Sequence, residues 1–193
     1  MIAYLQGKFT HKTPTVVFVD VQGVGYEVNI SLNTYGAIQD KEQGSLYTYL
    51  QIKEDAHILY GFSDLGEKSM FLKLIGISGV GASTARMMLS SMKHEEVAQA
   101  IAQGNSGLLE SIKGIGKKTA ERIVLELKDK LSKTDHNISN STFIHNTLEQ
   151  DALNALMSLG ISRVASENAV KKVIAGHEKI NLEQLIKKAL QVI

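Results

Sequence analysis

Ile77-Ser-Gly-Val-Gly-Ala-Ser-Thr-Ala85 and, 35 residues further on, Ile112-Lys-Gly-Ile-Gly-Lys-Lys-Thr-Ala120 are two copies of one phrase. Ile77 aligns with Ile112, Gly79 with Gly114, Gly81 with Gly116, Thr84 with Thr119 and Ala85 with Ala120. In each copy two glycines flank one apolar residue directly ahead of a pattern with helical period. Bare backbone N–H groups therefore stand where a helix begins, and they add to the positive end of the helix dipole. That combination holds anions. One copy alone is equally an ordinary helix-hairpin turn. Two copies in register describe two equivalent anion sites, suited to gripping a phosphate backbone without reading a base.

The two copies differ in charge. In the second, Lys117 and Lys118 stand at the helix start and Arg122 follows one turn later, so Gly114, Gly116, Lys117, Lys118 and Arg122 form the stronger clamp. In the first, Ala82 and Ser83 occupy the lysine positions, which leaves Gly79, Gly81 and Ser83 with Arg86 as the expected ionic support. A dinucleotide or P-loop site is excluded. Thr84 stands where a third glycine is needed, no strand pattern precedes the phrase, and Gly-Lys-Ser/Thr does not occur in the chain.

Outward from the repeat, Met70, Leu74 and Ile75, then Ala85, Met88 and Leu89, then Val97 and Ile101, then Ile123, Leu127 and Leu131 recur at helical spacing. Residues 63–131 thus read as a five-helix unit built on an internal duplication of helix, hairpin and helix. Residues 1–62 read as strands: Thr15 to Val21, Tyr26 to Ile30 and Leu46 to Ile52 are β-branched and aromatic with period-two character. They are broken at Gln22-Gly23, at a polar run over 39–43 and at Gly44-Ser45. Five short strands in so few residues predict a small closed barrel. Pro14, the only proline, precedes a strand, where its missing N–H does little harm. Residues 132–145 are polar and without period, and read as a mobile linker. Leu148 to Leu159 stopped by Gly160, Arg163 to Ala175 stopped by Gly176, and Leu182 to Val192 behind the Asn181/Gln184 capping pair make a three-helix domain over 146–193. So small a core suits a docking module better than an enzyme. The fold class is α+β and multidomain.

Composition narrows the function. The 193 residues are 44% hydrophobic and contain no cysteine, which excludes disulfides and thiolate metal sites. The first residues carry no signal pattern and no run of membrane-spanning length, so a cytoplasmic location is expected. The net charge is only +1, with 4 basic and 6 acidic residues in 1–62, 10 and 8 in 63–131, and 7 and 6 in 132–193. Polyanion binding must therefore be local and geometrical.

Other candidate sites are weaker. Lys53-Glu54-Asp55-Ala56 places adjacent carboxylates at a turn between two strands. Alone it is a solvated hairpin tip; beside a phosphate clamp it would repel DNA backbone and could keep strands apart. His11, His57, His94, His136, His145 and His177 are scattered without metal-ligand spacing, no nucleophile elbow occurs, and no cofactor or metal is expected. Tyr4, Phe9, Phe18, Tyr26, Tyr47, Tyr49, Tyr60 and Phe62 could stack single-stranded bases, but a small barrel needs aromatics inside, and the core role is preferred.

Taken together, Met1-Ile-Ala-Tyr-Leu-Gln-Gly7, the Glu54-Asp55-Ala56 tip followed by Leu59-Tyr-Gly-Phe62, tandem hairpins ending in Gly114-Ile-Gly-Lys-Lys-Thr-Ala-Glu-Arg122, a loose linker and a three-helix tail resemble the RuvA family over the whole length. These are the Holliday-junction-binding subunits of the bacterial branch-migration complex. The resemblance implies an oligonucleotide-binding (OB) barrel, a tandem helix-hairpin-helix domain and a mobile, UBA-like third domain. It further implies a homotetramer, single or doubled, on a four-way junction whose arms a fourfold assembly treats alike. Glu54 and Asp55 would be a central acidic pin. Leu156, Leu159 and Ile161 match the surface that docks the ATP-driven motor RuvB, and the resolvase RuvC is a further implied partner. Ser83 departs from relatives that carry lysine there.

The expected function is a non-catalytic, sequence-independent junction binder that recruits a motor for branch migration in recombination and repair. A helix-hairpin-helix repair enzyme is the alternative from another class, although Leu125 to Lys130 offers only Glu126 and Asp129 as carboxylates. A single-strand-binding barrel is the other.

Overall fold

The alternating pattern of the first 62 residues folds into β1 (Tyr4–Lys12), β2 (Val16–Val21), β3 (Val24–Ile30), β4 (Gln43–Ile52) and β5 (His57–Phe62). The computed structural model that shows this describes residues 1–135, 144–176 and 180–193. The strands close in the order β1-β2-β3-β5-β4, antiparallel except for the β3–β5 pair. This is the Greek-key barrel of the OB fold. Gln22 and Gly23, at φ 53° and 92°, make the tight turn between β2 and β3 that sets their register. Inward-facing Leu5, Phe9, Val17, Val19, Val28, Ile30, Leu46 and Leu59 fill the interior. Gly61 is required there, since a Cβ would lie 2.5 Å from Val28 Cγ1.

One helix was not foreseen. Helix α1 (Leu32–Ile38) joins β3 to β4, starts at Ser31, whose hydroxyl accepts from Thr34 N–H, and drives Ile38 into the barrel core. Seven residues containing Gly36 are too few and too weakly helical to show a period, so only the Ser31 cap marks it in the sequence.

The five helices expected next are α2 (Leu65–Ile75), α3 (Ala82–Ser91), α4 (His94–Ala102), α5 (Ser106–Glu110) and α6 (Lys117–Asp135). Barrel and helices form a single unit, Met1–Ile138, because their cores merge. Phe71 of α2 is fully buried against Tyr49, Tyr60 and Phe62, with ring centroids 5.6, 5.2 and 4.9 Å away. This corrects the barrel-core assignment for Tyr60 and Phe62, which serve the helical core instead. Tyr4 and Phe18 lie at the surface, 59% and 38% exposed.

A second unit contains α7 (Ile144–Ser158), α8 (Arg163–Ala175) and α9 (Leu182–Val192). Ala152, Leu156, Ala169, Val170, Val173, Leu185 and Ala189 form its core. Gly160, at φ 87°, ends α7 in a Schellman motif: Ile161 N–H donates to Leu156 O and Gly160 N–H to Met157 O. Helices α6 and α7 both enter the stretch read as a linker. Its remainder, 136–143, lies outside the described residues, as does His177. Among the described residues no helix is long and apolar enough to cross a membrane.

A buried carboxylate completes the barrel–helix joint. Glu67 is 2% exposed and accepts from the hydroxyls of Ser31 and, at 2.6 Å, Thr34, while Thr34 Oγ1 accepts from Ser63 N–H. Burial raises its pKa above the ordinary 4.5; the two hydroxyls pull it down, Asp64 pushes it up and His94 lowers it, and the rise prevails. A carboxyl with a raised folded-state pKa stabilises the fold fully below its unfolded pKa and loses that contribution as pH rises through the folded value. Glu67→Gln removes this titration. The melting temperature of the Gln variant minus that of the wild type should therefore rise as the pH is raised past the ordinary carboxyl value of 4.5. Thermal unfolding at stepped pH checks it, and a difference that falls with pH would mean the hydroxyls outweigh burial.

Candidate nucleic-acid interface

The duplicated phrase folds twice into the same backbone. Val80 N–H donates to Ile77 O at 3.0 Å and Ile115 N–H to Ile112 O at 3.1 Å, with Gly79 and Gly114 third in each turn at φ 92° and 91°. These are type II turns, which require a positive φ at that position and hence glycine. Ile77 and Ile112 close the preceding helix in the same way, donating to Leu74 O and Leu109 O. Ile77, Val80, Ile112 and Ile115 are buried, so the core anchors each turn from beneath and the glycines face out. Ala85 and Ala120, both fully buried, let the helix after each turn pack closely.

The second glycine of each copy has a different reason. Gly81 has an ordinary φ of −82°, and a Cβ at Gly81 or Gly116 would meet nothing within 4 Å. The fold does not demand glycine at either place. Helices α1, α2, α5, α8 and α9 are each capped by a side-chain oxygen at Ser31, Asp64, Asn105, Ser162 and Asn181. Helix α3 starts at Gly81 with no side-chain cap, and α6 follows Gly116, whose carbonyl accepts from Thr119 and Ala120 N–H. At the starts of α3 and α6 no cap side chain takes up the first N–H groups, and Gly81 and Gly116 leave open space beside them, so each helix start has room for an oxyanion.

Charge follows the asymmetry read in the sequence, with two changes. Lys117 and Lys118 are exposed at the start of α6, and Lys113 joins them as an exposed third cation beside Gly114. Lys113 was overlooked although it lies within the phrase, at the position of Ser78. Arg122 is exposed and donates to Ser78 O at 3.2 Å, so it links the second helix start to the first turn. Arg86 is the correction. It is half-buried, and its guanidinium donates to Thr15 O at 3.1 Å and Asn29 Oδ1 at 2.8 Å, both on the barrel side. With Arg86 Nη1 directed to the barrel, the first hairpin relies on Ser83 and backbone donors, with Arg122 against its turn.

Glu54 and Asp55 are both exposed at the tip of the four-residue connection 53–56 between β4 and β5, which is closed by Lys53 N–H donating to Ala56 O at 2.8 Å. In the second unit, Leu156 is fully buried and Ile161 half-buried against the same core, because both hold the end of α7. Leu156 therefore cannot serve as a docking contact. Leu159 is 64% exposed, and Val164, not singled out by sequence, is 69% exposed.

With the geometry in place, comparison with known proteins is direct. Residues 1–61 match the model of the RuvA N terminal domain, 71–129 that of the SAM-like helix-hairpin-helix tandem, and 147–193 that of the RuvA C-terminal domain. The Holliday junction branch migration complex subunit RuvA of Cytophaga hutchinsonii is 46% identical over 100% of both chains. Its counterpart in Flavobacterium psychrophilum is 46% identical and that in Christiangramia forsetii 44%, each over 99% of both chains. On three matched domains in order and full-length identity at this level, the chain belongs to the RuvA family.

Proposed function

We propose that this protein is the non-catalytic, sequence-independent DNA-binding subunit of a branch-migration complex, holding a four-way junction and presenting it to a motor ATPase. The observation that carries this reading is the pair of glycine turns with matching hydrogen bonds, each opening a helix that has no side-chain cap. Phosphate capture by main-chain donors grips any sequence, as a migrating junction requires. The barrel over 1–62 supplies the acidic tip, the hairpins over 63–131 the grip, 132–145 the tether, and 146–193 a docking domain on which Leu159 and Val164 offer apolar contacts to RuvB. A homotetramer matches the fourfold symmetry of an open junction, so the Glu54-Asp55 tips would meet at its centre and push backbones apart. The relatives are named as subunits of a Holliday junction branch migration complex, which supports junction DNA and a multi-protein complex.

A mobility-shift comparison of a four-way junction, linear duplex and single strand at about 0.1 M salt tests the reading, since phosphate-driven binding is salt-dependent. The junction should bind tightest, and equal affinity for all three refutes the proposal.

The glycines separate fold from function. Gly79→Ala and Gly114→Ala should each cost about 1–2 kcal/mol of stability, because a left-handed φ is forced on an L residue. Gly81→Ala and Gly116→Ala should change stability by less than about 0.5 kcal/mol, the poorer cap being offset by a less flexible unfolded chain. They should still weaken junction and duplex binding alike, by about tenfold for each phosphate hydrogen bond lost. Thermal melts paired with mobility shifts read both effects, and full binding by Gly116→Ala would remove main-chain capture from the mechanism.

Neutralising the tip as Glu54→Gln with Asp55→Asn should leave junction affinity unchanged or raise it while altering migration rate. A large loss of affinity in the same gel assay would give the pair a structural role instead.

A further inference from the structure

Phosphate donors alone do not choose a junction over a plain duplex, because both present the same phosphates. Selection requires that a clamp and the acidic tip keep a set relation to each other. Only one of the two hairpins is built for that.

Helix α3, which carries the first clamp, is tied to the barrel by polar contacts along its length. Arg86 donates to Thr15 O and Asn29 Oδ1. Ser90 Oγ, one turn later, accepts from Leu32 N–H at 3.1 Å. At the end of the helix Asn33 Nδ2 donates to Leu89 O at 2.6 Å and Met92 O at 3.0 Å, so a barrel-side residue caps the last carbonyls of α3. The path continues towards the tip. Asn29 Nδ2 donates to Leu59 O at 3.3 Å, and Leu59 lies on β5, the strand that leaves the Glu54-Asp55 loop.

The second hairpin has no such tie. Among the described residues no hydrogen bond joins α5 or the described side chains of α6 to the barrel, and the position equivalent to Arg86 is Glu121, which is exposed. The copy with the lysines is therefore held through the first copy, by the shared core and by Arg122 on Ser78 O. Charge and fixation have been divided between the two copies.

We infer that Arg86 is a positioning residue which, through Asn29 and together with Asn33, holds the first clamp at a set angle to the acidic tip and so converts a grip on phosphate into a preference for the junction. The inference rests on the junction binding proposed above, and it assigns Arg86 a role apart from phosphate contact.

The test is a set of full-chain variants, Arg86→Met, Arg86→Lys, Asn29→Ala and Asn33→Ala, each measured for junction and duplex affinity across a salt series. Arg86→Met, Asn29→Ala and Asn33→Ala should each lower the junction-over-duplex ratio by about fivefold to tenfold, the effect of losing one or two ordinary hydrogen bonds. Duplex affinity and the salt slope should stay at wild-type values. Arg86→Met combined with Asn29→Ala should fall short of the sum of the two single effects, because their shared contact is lost only once. Arg86→Lys should restore part of the ratio, since both bonds come from the single Nη1 and an ammonium can donate to the same acceptors, though from a shorter side chain without the planar group's fixed orientation.

Loss of junction and duplex binding alike in Arg86→Met, with the salt slope reduced by about 0.9 and Asn29→Ala silent, would make Arg86 a phosphate contact and overturn the inference. An unchanged ratio in all variants would overturn it as well. Wild-type protein with no junction preference would instead sink the proposed function itself. Circular-dichroism melts identify any variant that fails to fold, and Asn29→Ala and Asn33→Ala then decide the matter independently of Arg86.

Discussion

Phe71 sits where the barrel ends and the helices begin, touching Tyr49, Tyr60 and Phe62, and that ring cluster fuses two elements that could have been separate domains. Aromatic pairs of this kind contribute about 0.5–1.5 kcal/mol each beyond the area they bury. Around it lies a polar shell of Glu67 on Ser31 and Thr34, Asn33 on the end of α3, and Arg86 on β3. The apolar centre supplies adhesion and the hydrogen bonds supply orientation, since apolar contact is non-directional and a hydrogen bond is not. Everything that gives the acidic tip a defined place relative to the first hairpin passes through this joint.

The duplicated hairpin shows how one backbone solution was put to two uses. Both copies keep what the turn needs: a left-handed glycine, an apolar residue on either side to pin it down, and a small alanine where helices meet. They differ where the turn is indifferent. Lys113, Lys117 and Lys118 replace Ser78, Ala82 and Ser83, and Arg86 gives way to Glu121. The first copy lacks cations at its helix start and is hydrogen-bonded to the barrel; the second carries the cations and, among the described residues, makes no hydrogen bond to it.

In the third domain, the residues expected on a surface illustrate the limit of reading apolar positions without depth. Leu156 and Ile161 bracket the Schellman turn at Gly160, where a hydrophobic contact normally accompanies the left-handed residue, and both turn inward. Leu159 lies within the same turn and points out. Three nearby apolar residues have different fates because the turn reverses the chain between them.

By itself the sequence determined the strand barrel, the paired hairpins and the three-helix tail, because each rests on local rules: alternation for strands, helical period for helices, and glycine where a turn demands positive φ. It also placed the lysines of the second copy at a helix start, since that follows from their position in the phrase. Tertiary structure alone decided the rest. Glu67 carries no local sign of burial, yet folding buried it on two hydroxyls more than 30 residues away. Arg86 reads as a cation beside a phosphate site, yet its partners Thr15 and Asn29 lie 71 and 57 residues earlier in the chain. Helix α1 is too short to show the period that would reveal it. In each case the deciding contact joins residues far apart in the chain, and no local pattern carries the information about which distant group a side chain will meet.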